Sequence, residues 1–239
     1  MLAWIYWAAG LTIVTLVSVF IIRKIPSYGF AFLTGFYVIY LGVSQIMASR
    51  IIVLDLGFMQ LFTPAAVFIY PFIAQVIDMI NEVYGRRSTH VAIMIAFLTQ
   101  VLFVSFIAMV NMMAPAPFFA FEEAWQSLFN LSIRITAASW ISFLICSNLD
   151  ALVFAKLKQK FMSREREFKH DTSLNPYVWL RSSVSDVVDL TLDSVIFVTL
   201  AFYGVLPVLP LIIGQIVVKN IVGFIDNPWF VLYKRLLRT

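Results

Sequence analysis

The feature that most constrains this chain is a series of long apolar stretches separated by short polar segments. Each stretch has about 20 residues, the length at which a helix crosses roughly 30 Å of hydrocarbon. Hydrophobic residues make up 62% of the 239 positions and charged residues only 13%, whereas a soluble domain carries about 25% charged residues. A soluble protein of this size could not bury so many apolar side chains. The sequence therefore predicts an integral membrane protein.

Seven stretches are long enough to span a membrane. Each is predicted to be a helix, because an open strand in lipid would leave backbone groups without hydrogen bonds. The seven predicted spans are residues 2–22, 29–49, 63–84, 89–113, 130–155, 177–204 and 207–230. The segment 114–129, which contains Pro115 and Pro117, is predicted to form a loop with a short helix at the membrane interface. The predicted fold is an all-α, polytopic membrane helix bundle of about seven transmembrane helices.

The basic residues of the connecting segments lie on one side of this seven-span arrangement. They are Arg23, Lys24, Arg86, Arg87, Lys156, Lys158, Lys160, Arg164, Arg166, Lys169, Lys234, Arg235 and Arg238. The opposite side holds only Arg50, together with the acidic pair Glu122 and Glu123. Because cytoplasmic loops carry an excess of Lys and Arg, the N-terminus is predicted to lie outside and the C-terminus in the cytoplasm. The predicted location is the cytoplasmic (cell) membrane, crossed several times.

Several classes of function lack the residues they need. The sequence has no Walker-type phosphate loop and no Gly-rich dinucleotide turn, so the chain is not predicted to hydrolyse ATP. The single Cys146 permits no internal disulfide and no Cys-based metal site. His90 and His170 lie at or beyond span ends, which disfavours a His metal site within the membrane. The sequence predicts no cofactor and no resident metal. Its basic residues favour anionic lipid over nucleic acid as the partner.

Ionisable residues inside predicted spans are the first candidates for function, because each costs about 2.5–3.5 kcal/mol near the membrane centre. In the third span Asp78 and Glu82 are four residues apart and therefore share one helix face. Glu82 is close enough in sequence to pair with Arg86. Pro71 lies inside the same span and is predicted to kink it. A kink beside two carboxylates is typical of a helix that lines a cavity.

The sixth and seventh spans carry a second set of such residues. Asp186, Asp189 and Asp193 form one helical stripe, and like charges on one stripe require water, a cation or a basic partner. Lys219, in the seventh span, lies at the depth of Asp193, so a buried ion pair between them is predicted. Gln215, Lys219 and Asp226 share a face of the seventh span, and a break or bend is predicted at Asp226, which precedes Asn227-Pro228. Arg134, near one end of the fifth span, is predicted to snorkel to the interface.

Two classes of function fit these residues. In a carrier or a membrane substrate-binding subunit, polar groups from several spans would converge on one cavity, and aromatic side chains would stack on a flat ligand. The carboxylates suit a heterocycle that donates several N–H groups from one edge. In a metal-dependent membrane transferase, Asp186, Asp189 and Asp193 would hold Mg²⁺, but the Gly and Arg residues expected around such acids are missing. The carrier is the preferred interpretation and the chain is not predicted to be an enzyme.

Three motifs, in order along the chain, resemble the queuosine-precursor transporter family, also called vitamin-uptake-transporter-like proteins. They are Tyr70-Pro71-Phe72…Asp78…Glu82-x-Tyr84-Gly85, Arg181-x3-Ser185…Asp193-Ser194-x-x-Phe197 and Gln215-x3-Lys219…Asp226-x-Pro228. The resemblance covers roughly residues 30–235. Asp186 and Asp189 depart from it, since uncharged polar residues are expected at those positions.

The resemblance implies a six-helix transporter core at 29–239, preceded by an extra N-terminal transmembrane helix at 1–28. It implies import of 7-deazaguanine precursors of modified tRNA nucleosides, namely 7-cyano-7-deazaguanine and 7-aminomethyl-7-deazaguanine, by a secondary transporter. A substrate-binding subunit of an ATPase-driven vitamin-type importer is the alternative, and a homo-oligomer or an energising partner would be compatible with either. The substrate-binding residues that it implies are Tyr70, Asp78, Glu82, Arg181, Ser185, Asp193, Gln215, Lys219 and Asp226. Asp78 or Asp193 would accept the guanine edge, Lys219 or Arg181 would contact its carbonyl oxygen, and Tyr70 would lie against the ring.

Overall fold

The protein is a bundle of long helices interrupted by one small β-hairpin. The computed structural model describes residues 2–55, 57, 59–167 and 176–238, and it describes no side chains for 147–186 or for residues 3, 189, 227, 230, 231, 234 and 238. The helices are α1 (Leu2–Lys24), α2 (Pro26–Ala48), α3 (Tyr70–Asn111), α4 (Glu122–Glu167), α5 (Pro176–Phe202), α6 (Val208–Ile225) and α7 (Asn227–Arg238). The hairpin strands are β1 (Ile51–Asp55) and β2 (Gln60–Pro64), and a 3₁₀ helix (Ala65–Phe68) leads into α3.

Five of the described helices are long and apolar enough to cross a membrane. They are Trp4–Lys24, Pro26–Ala48, Tyr70–Asn111, Glu122–Cys146 and Val208–Ile225, and Leu190–Phe202 is a shorter apolar helix. This supports the predicted polytopic helix bundle, while seven spans and their orientation stay predictions. The third and fourth predicted spans correspond to two helical segments of α3 that meet at a kink at Gly85, within the predicted connecting segment 85–88. Gly85 has φ 78° and ψ 171°, a conformation that glycine adopts without the steric cost of a Cβ.

The prediction that Pro71 kinks a helix is wrong. The helix begins at Tyr70, so Pro71 lies in its first turn, where no intrahelical hydrogen bond is lost by the missing N–H. Residues 63–69 of the predicted third span belong to β2, the 3₁₀ helix and the residue before α3. The kink in this helix occurs instead at Gly85.

The hairpin is an element that the all-helical prediction missed. Its antiparallel register pairs Ile51 with Pro64 and Asp55 with Gln60, so backbone groups within the ladder bond to one another. One side of β2 packs directly on α6: a Cβ added to Gly214 would lie 1.8 Å from the backbone oxygen of Phe62. Most of the hairpin, residues 51–62, lies between the predicted second and third spans, where no helix was predicted, and only residues 63 and 64 fall within a predicted span.

The predicted interfacial helix within 114–129 is also wrong as a separate element. Residues 114–121 form turns and loop, and the helix that starts at Glu122 continues without a break through the predicted fifth span. Side chains fasten its first turns to the end of α3, since Asn111 donates to Asn130 at 2.9 Å and accepts from the Trp125 indole at 2.8 Å. These contacts hold the helix start against α3.

The predicted break at Asp226 is confirmed, and the span that was predicted to reach residue 230 ends at Ile225. The following helix, α7, packs against α1: the Trp229 indole donates to the Thr12 hydroxyl at 2.9 Å. The fully buried Tyr233 donates to the Met79 carbonyl oxygen at 3.3 Å. Two further hydrogen bonds join α1 to the rest, from Trp7 to the Phe68 carbonyl and from Gln75 to Thr15, both at 2.8 Å.

Arg134 has a more specific role than the predicted snorkelling. Its guanidinium donates to the carbonyl oxygens of Leu200 and Tyr203 at 2.8 and 2.7 Å. The last carbonyls of a helix have no intrahelical donors and carry partial negative charge. Arg134 therefore caps the end of α5 and fixes it against α4.

Candidate substrate-binding site

The bundle contains a partly open cavity of about 520 Å³, a size within the roughly 300–1,000 Å³ typical of small-molecule sites. Its walls come from α2, α3, α4, α5 and α6, and the end of β2 and the 3₁₀ helix contribute Pro64, Ala66 and Val67. The cavity therefore collects residues from segments that lie far apart in sequence. Polar side chains stand among an apolar lining, which is the usual composition of a ligand site.

The ion pair predicted between Asp193 and Lys219 is confirmed. The Lys219 ammonium donates to Asp193 Oδ2, and Ser142 of α4 donates to Asp193 Oδ1 at 2.7 Å. Both carboxylate oxygens thus have a protein donor, and three helices meet at one carboxylate. Lys219 is almost fully buried, with 7% of its surface exposed. An ammonium at this depth depends on its partner, because removing an ion from water costs several kcal/mol.

Tyr70 lies beside this pair at the start of α3. The Lys219 nitrogen is 4.9 Å from the centre of the Tyr70 ring, a distance at which a cation is attracted to the ring face. Tyr70 also lines the cavity. The aromatic ring predicted to lie against a ligand is therefore in contact with the buried cation.

Five of the nine predicted site residues meet in the cavity: Tyr70, Asp78, Asp193, Gln215 and Lys219. Glu82, one turn further along α3, and Asp226, at the end of α6, are not among the lining residues. Burial raises the pKa of Tyr233 in α7, and the charges of Tyr84 and Glu82 raise it further. The side chains of Arg181, Ser185, Asp186 and Asp189 lie outside the described residues. For these four residues the predicted roles stay predictions.

Several lining residues were missed because they carry no formal charge. Gln45 and Ser44 come from α2, Ser139 and Cys146 from α4. Gln45 is the one carboxamide in the predicted span 29–49. A single amide in an otherwise apolar helix could have identified Gln45 as a candidate cavity residue. Gln215 Oε1 is buried and has no hydrogen-bond partner among the described residues. A buried acceptor without a donor costs about 1–3 kcal/mol, which favours a bound donor at this point of the cavity.

Cys146 offers a direct probe of the cavity because it is the sole cysteine of the sequence and lies in the cavity wall. A small thiol reagent is expected to label it slowly, since only 3% of its surface is exposed. A ligand that fills the cavity is expected to lower the labelling rate several-fold by excluding the reagent, and mass spectrometry of the intact protein measures this rate. Cys146→Ser is the control for nonspecific modification. Equal rates with and without saturating ligand would place the ligand elsewhere.

A family model described as "Putative vitamin uptake transporter" matches residues 64–233, more than half of the chain. The chain belongs to this family. The matched region contains all five predicted residues that line the cavity, whereas α1, α2 and β1 lie before it. The family and the membrane-spanning helices together make the protein a multi-pass membrane protein of a transporter family.

One curated relative is the "Probable queuosine precursor transporter" of Bacillus subtilis (strain 168). It is 24% identical over 163 residues, which cover 67% of this chain and 66% of that protein. The chain thus matches slightly less than two-thirds of the relative's length. No solved structure matches this chain. The resemblance noted in the sequence is confirmed at the level of the transporter family.

Proposed function

We propose that the protein imports 7-deazaguanine bases, such as 7-cyano-7-deazaguanine and 7-aminomethyl-7-deazaguanine, across the cytoplasmic membrane. The observation that carries this proposal is the cavity in which Asp78, the Asp193–Lys219 pair and the Tyr70 ring come together. The name of the Bacillus subtilis relative supports the same class of substrate.

The chemistry of such a base agrees with these groups. A deazaguanine presents a ring N–H and an exocyclic amine on one edge, a donor pair that one carboxylate can accept. We assign this edge to Asp78, whose carboxylate lines the cavity on α3. We expect Lys219 to contact a carbonyl oxygen of the base while it stays paired with Asp193, and Tyr70 to lie against the ring. The hydrogen bonds that Asp193 accepts from Lys219 and Ser142 disfavour its use as a Mg²⁺ ligand in a membrane transferase.

Uptake by cells that cannot make the base tests this function. Labelled 7-cyano-7-deazaguanine is supplied to such cells with and without the chain, and its accumulation and its incorporation into tRNA are measured. Import is expected with the chain alone. Asp78→Asn tests the role of the carboxylate, because it keeps the side-chain volume and removes the charge. This variant is expected to reduce import at least ten-fold relative to the wild type. Absence of import by wild-type protein shown to be in the membrane would contradict a self-sufficient transporter.

A second candidate is a substrate-binding subunit of an ATPase-driven vitamin-type importer, and the family description "Putative vitamin uptake transporter" supports a vitamin as the substrate. Binding to the purified chain separates the two. A subunit of this kind would bind its ligand without importing it alone, whereas a secondary transporter would do both. Binding of a vitamin in place of any deazaguanine would replace the proposed substrate class.

A further inference from the structure

Two carboxamides line the cavity in addition to the charged residues. Gln215 comes from α6 and Gln45 from α2, and 3% and 2% of their surfaces are exposed. Gln215 Oε1 has no donor among the described residues. Buried polar groups are normally hydrogen-bonded, since leaving one unsatisfied is costly. The Gln215 oxygen therefore needs a donor, and the Gln45 amide lies in the wall of the same cavity.

We infer that Gln45 and Gln215 determine specificity by binding the polar edges of a neutral heterocycle. This inference rests on the proposed function and deepens it. A carboxamide offers one acceptor and two donor hydrogens side by side, so it pairs best with a ligand edge that carries a donor next to an acceptor. A carboxylate on the ligand would satisfy the donors but would leave the Gln215 oxygen without a partner. The amide pair therefore selects a lactam-type ring, with adjacent N–H and C=O groups, over an acidic vitamin.

The specificity role inferred for Gln45 lies outside the region that matches the family, because Gln45 is in α2 and the match covers residues 64–233. The helix brings it to the cavity beside Ser44 and Ala48. A specificity residue in α2 means that the ligand contacts the part of the chain before the family match as well as the part within it. Substrate preference can then differ among relatives that share the residues of α3 to α6.

The test measures equilibrium binding of 7-cyano-7-deazaguanine to the purified full chain. Gln45→Met and Gln215→Met keep the side-chain length and remove the amide, and each is expected to weaken binding about ten-fold, the effect of one neutral hydrogen bond. Gln215→Glu keeps an acceptor oxygen and is expected to bind more tightly than Gln215→Met. For a 7-deazapurine without the amino and oxo groups, all variants and the wild type are expected to bind equally.

Gln100→Met is the matched control. Gln100 is equally buried, at 2% exposure, and its Oε1 also has no partner among the described residues, but it does not line the cavity. Unchanged binding by Gln100→Met, with weakened binding by the other two, supports the inference. If the wild type binds the base and Gln45→Met and Gln215→Met bind it with the same affinity, this inference is overturned but the proposed function is not. Failure of the wild type to bind any deazaguanine would overturn the proposed function and the inference together.

Discussion

Replacing Lys219 by Met is expected to abolish ligand binding and to destabilise the protein more than any other single replacement of a charged residue described above. The variant leaves the Asp193 carboxylate inside the bundle without its cation. Breaking one side of a buried ion pair costs about 3–5 kcal/mol, because the remaining charge is uncompensated. Asp193→Asn is expected to act in the same direction, since it leaves the buried ammonium unpaired. Thermal unfolding in detergent and equilibrium binding measure the two effects separately.

The double variant Asp193→Asn with Lys219→Met separates structure from recognition. Removing both charges together is often nearly neutral for stability, so this variant is expected to unfold close to the wild-type temperature. Its ligand binding is expected to stay lost if Lys219 contacts the ligand. Lys24→Met, at the exposed end of α1, is the control for losing a positive charge. A double variant as unstable as Lys219→Met would contradict the assignment of the stability effect to the pair.

Replacing Gly214 by Ala is expected to produce the second large effect. The new Cβ would lie 1.8 Å from the Phe62 carbonyl oxygen and 2.7 Å from its carbon, and these are backbone atoms of β2 that cannot rotate away. The hairpin must move, and with it Pro64 and the 3₁₀ helix that line the cavity. Stability and ligand affinity are therefore expected to fall together, the latter by at least ten-fold. Gly214→Val is expected to be worse, because it adds two more carbons at the same contact.

Gly223 provides a matched control in the same helix. A Cβ there would have Leu190 Cδ1 as its nearest neighbour at 4.0 Å, an ordinary contact. Gly223→Ala is expected to be neutral or to stabilise the protein, since alanine favours a helix over glycine by about 1 kcal/mol. Thermal unfolding and ligand binding, measured for Gly214→Ala and Gly223→Ala, test these two expectations. Wild-type affinity in Gly214→Ala would show that the hairpin is not held by this contact.

The sequence determined the features that depend on local pattern and on depth along a helix. Apolar runs of membrane length identified the membrane class, and a proline after Asp226-Asn227 predicted the helix break. The Asp193–Lys219 pair was predictable because two opposite charges at one depth of a membrane have few other ways to be satisfied. These inferences need only the helical repeat and the cost of burying a charge.

Only the tertiary structure decided what depends on contacts between distant segments. The hairpin forms because α6 offers a glycine where β2 can lie against the helix, and no local pattern in residues 51–64 reveals that partner. Which polar residues reach the cavity was also decided by packing. The uncharged Gln45 lines the cavity, whereas the charged Asp226 does not. Helix periodicity gives the face on which a residue lies but not the neighbour that this face meets. The packing of α2 and α6 around one cavity supplies that information, because it fixes which polar groups line the same cavity.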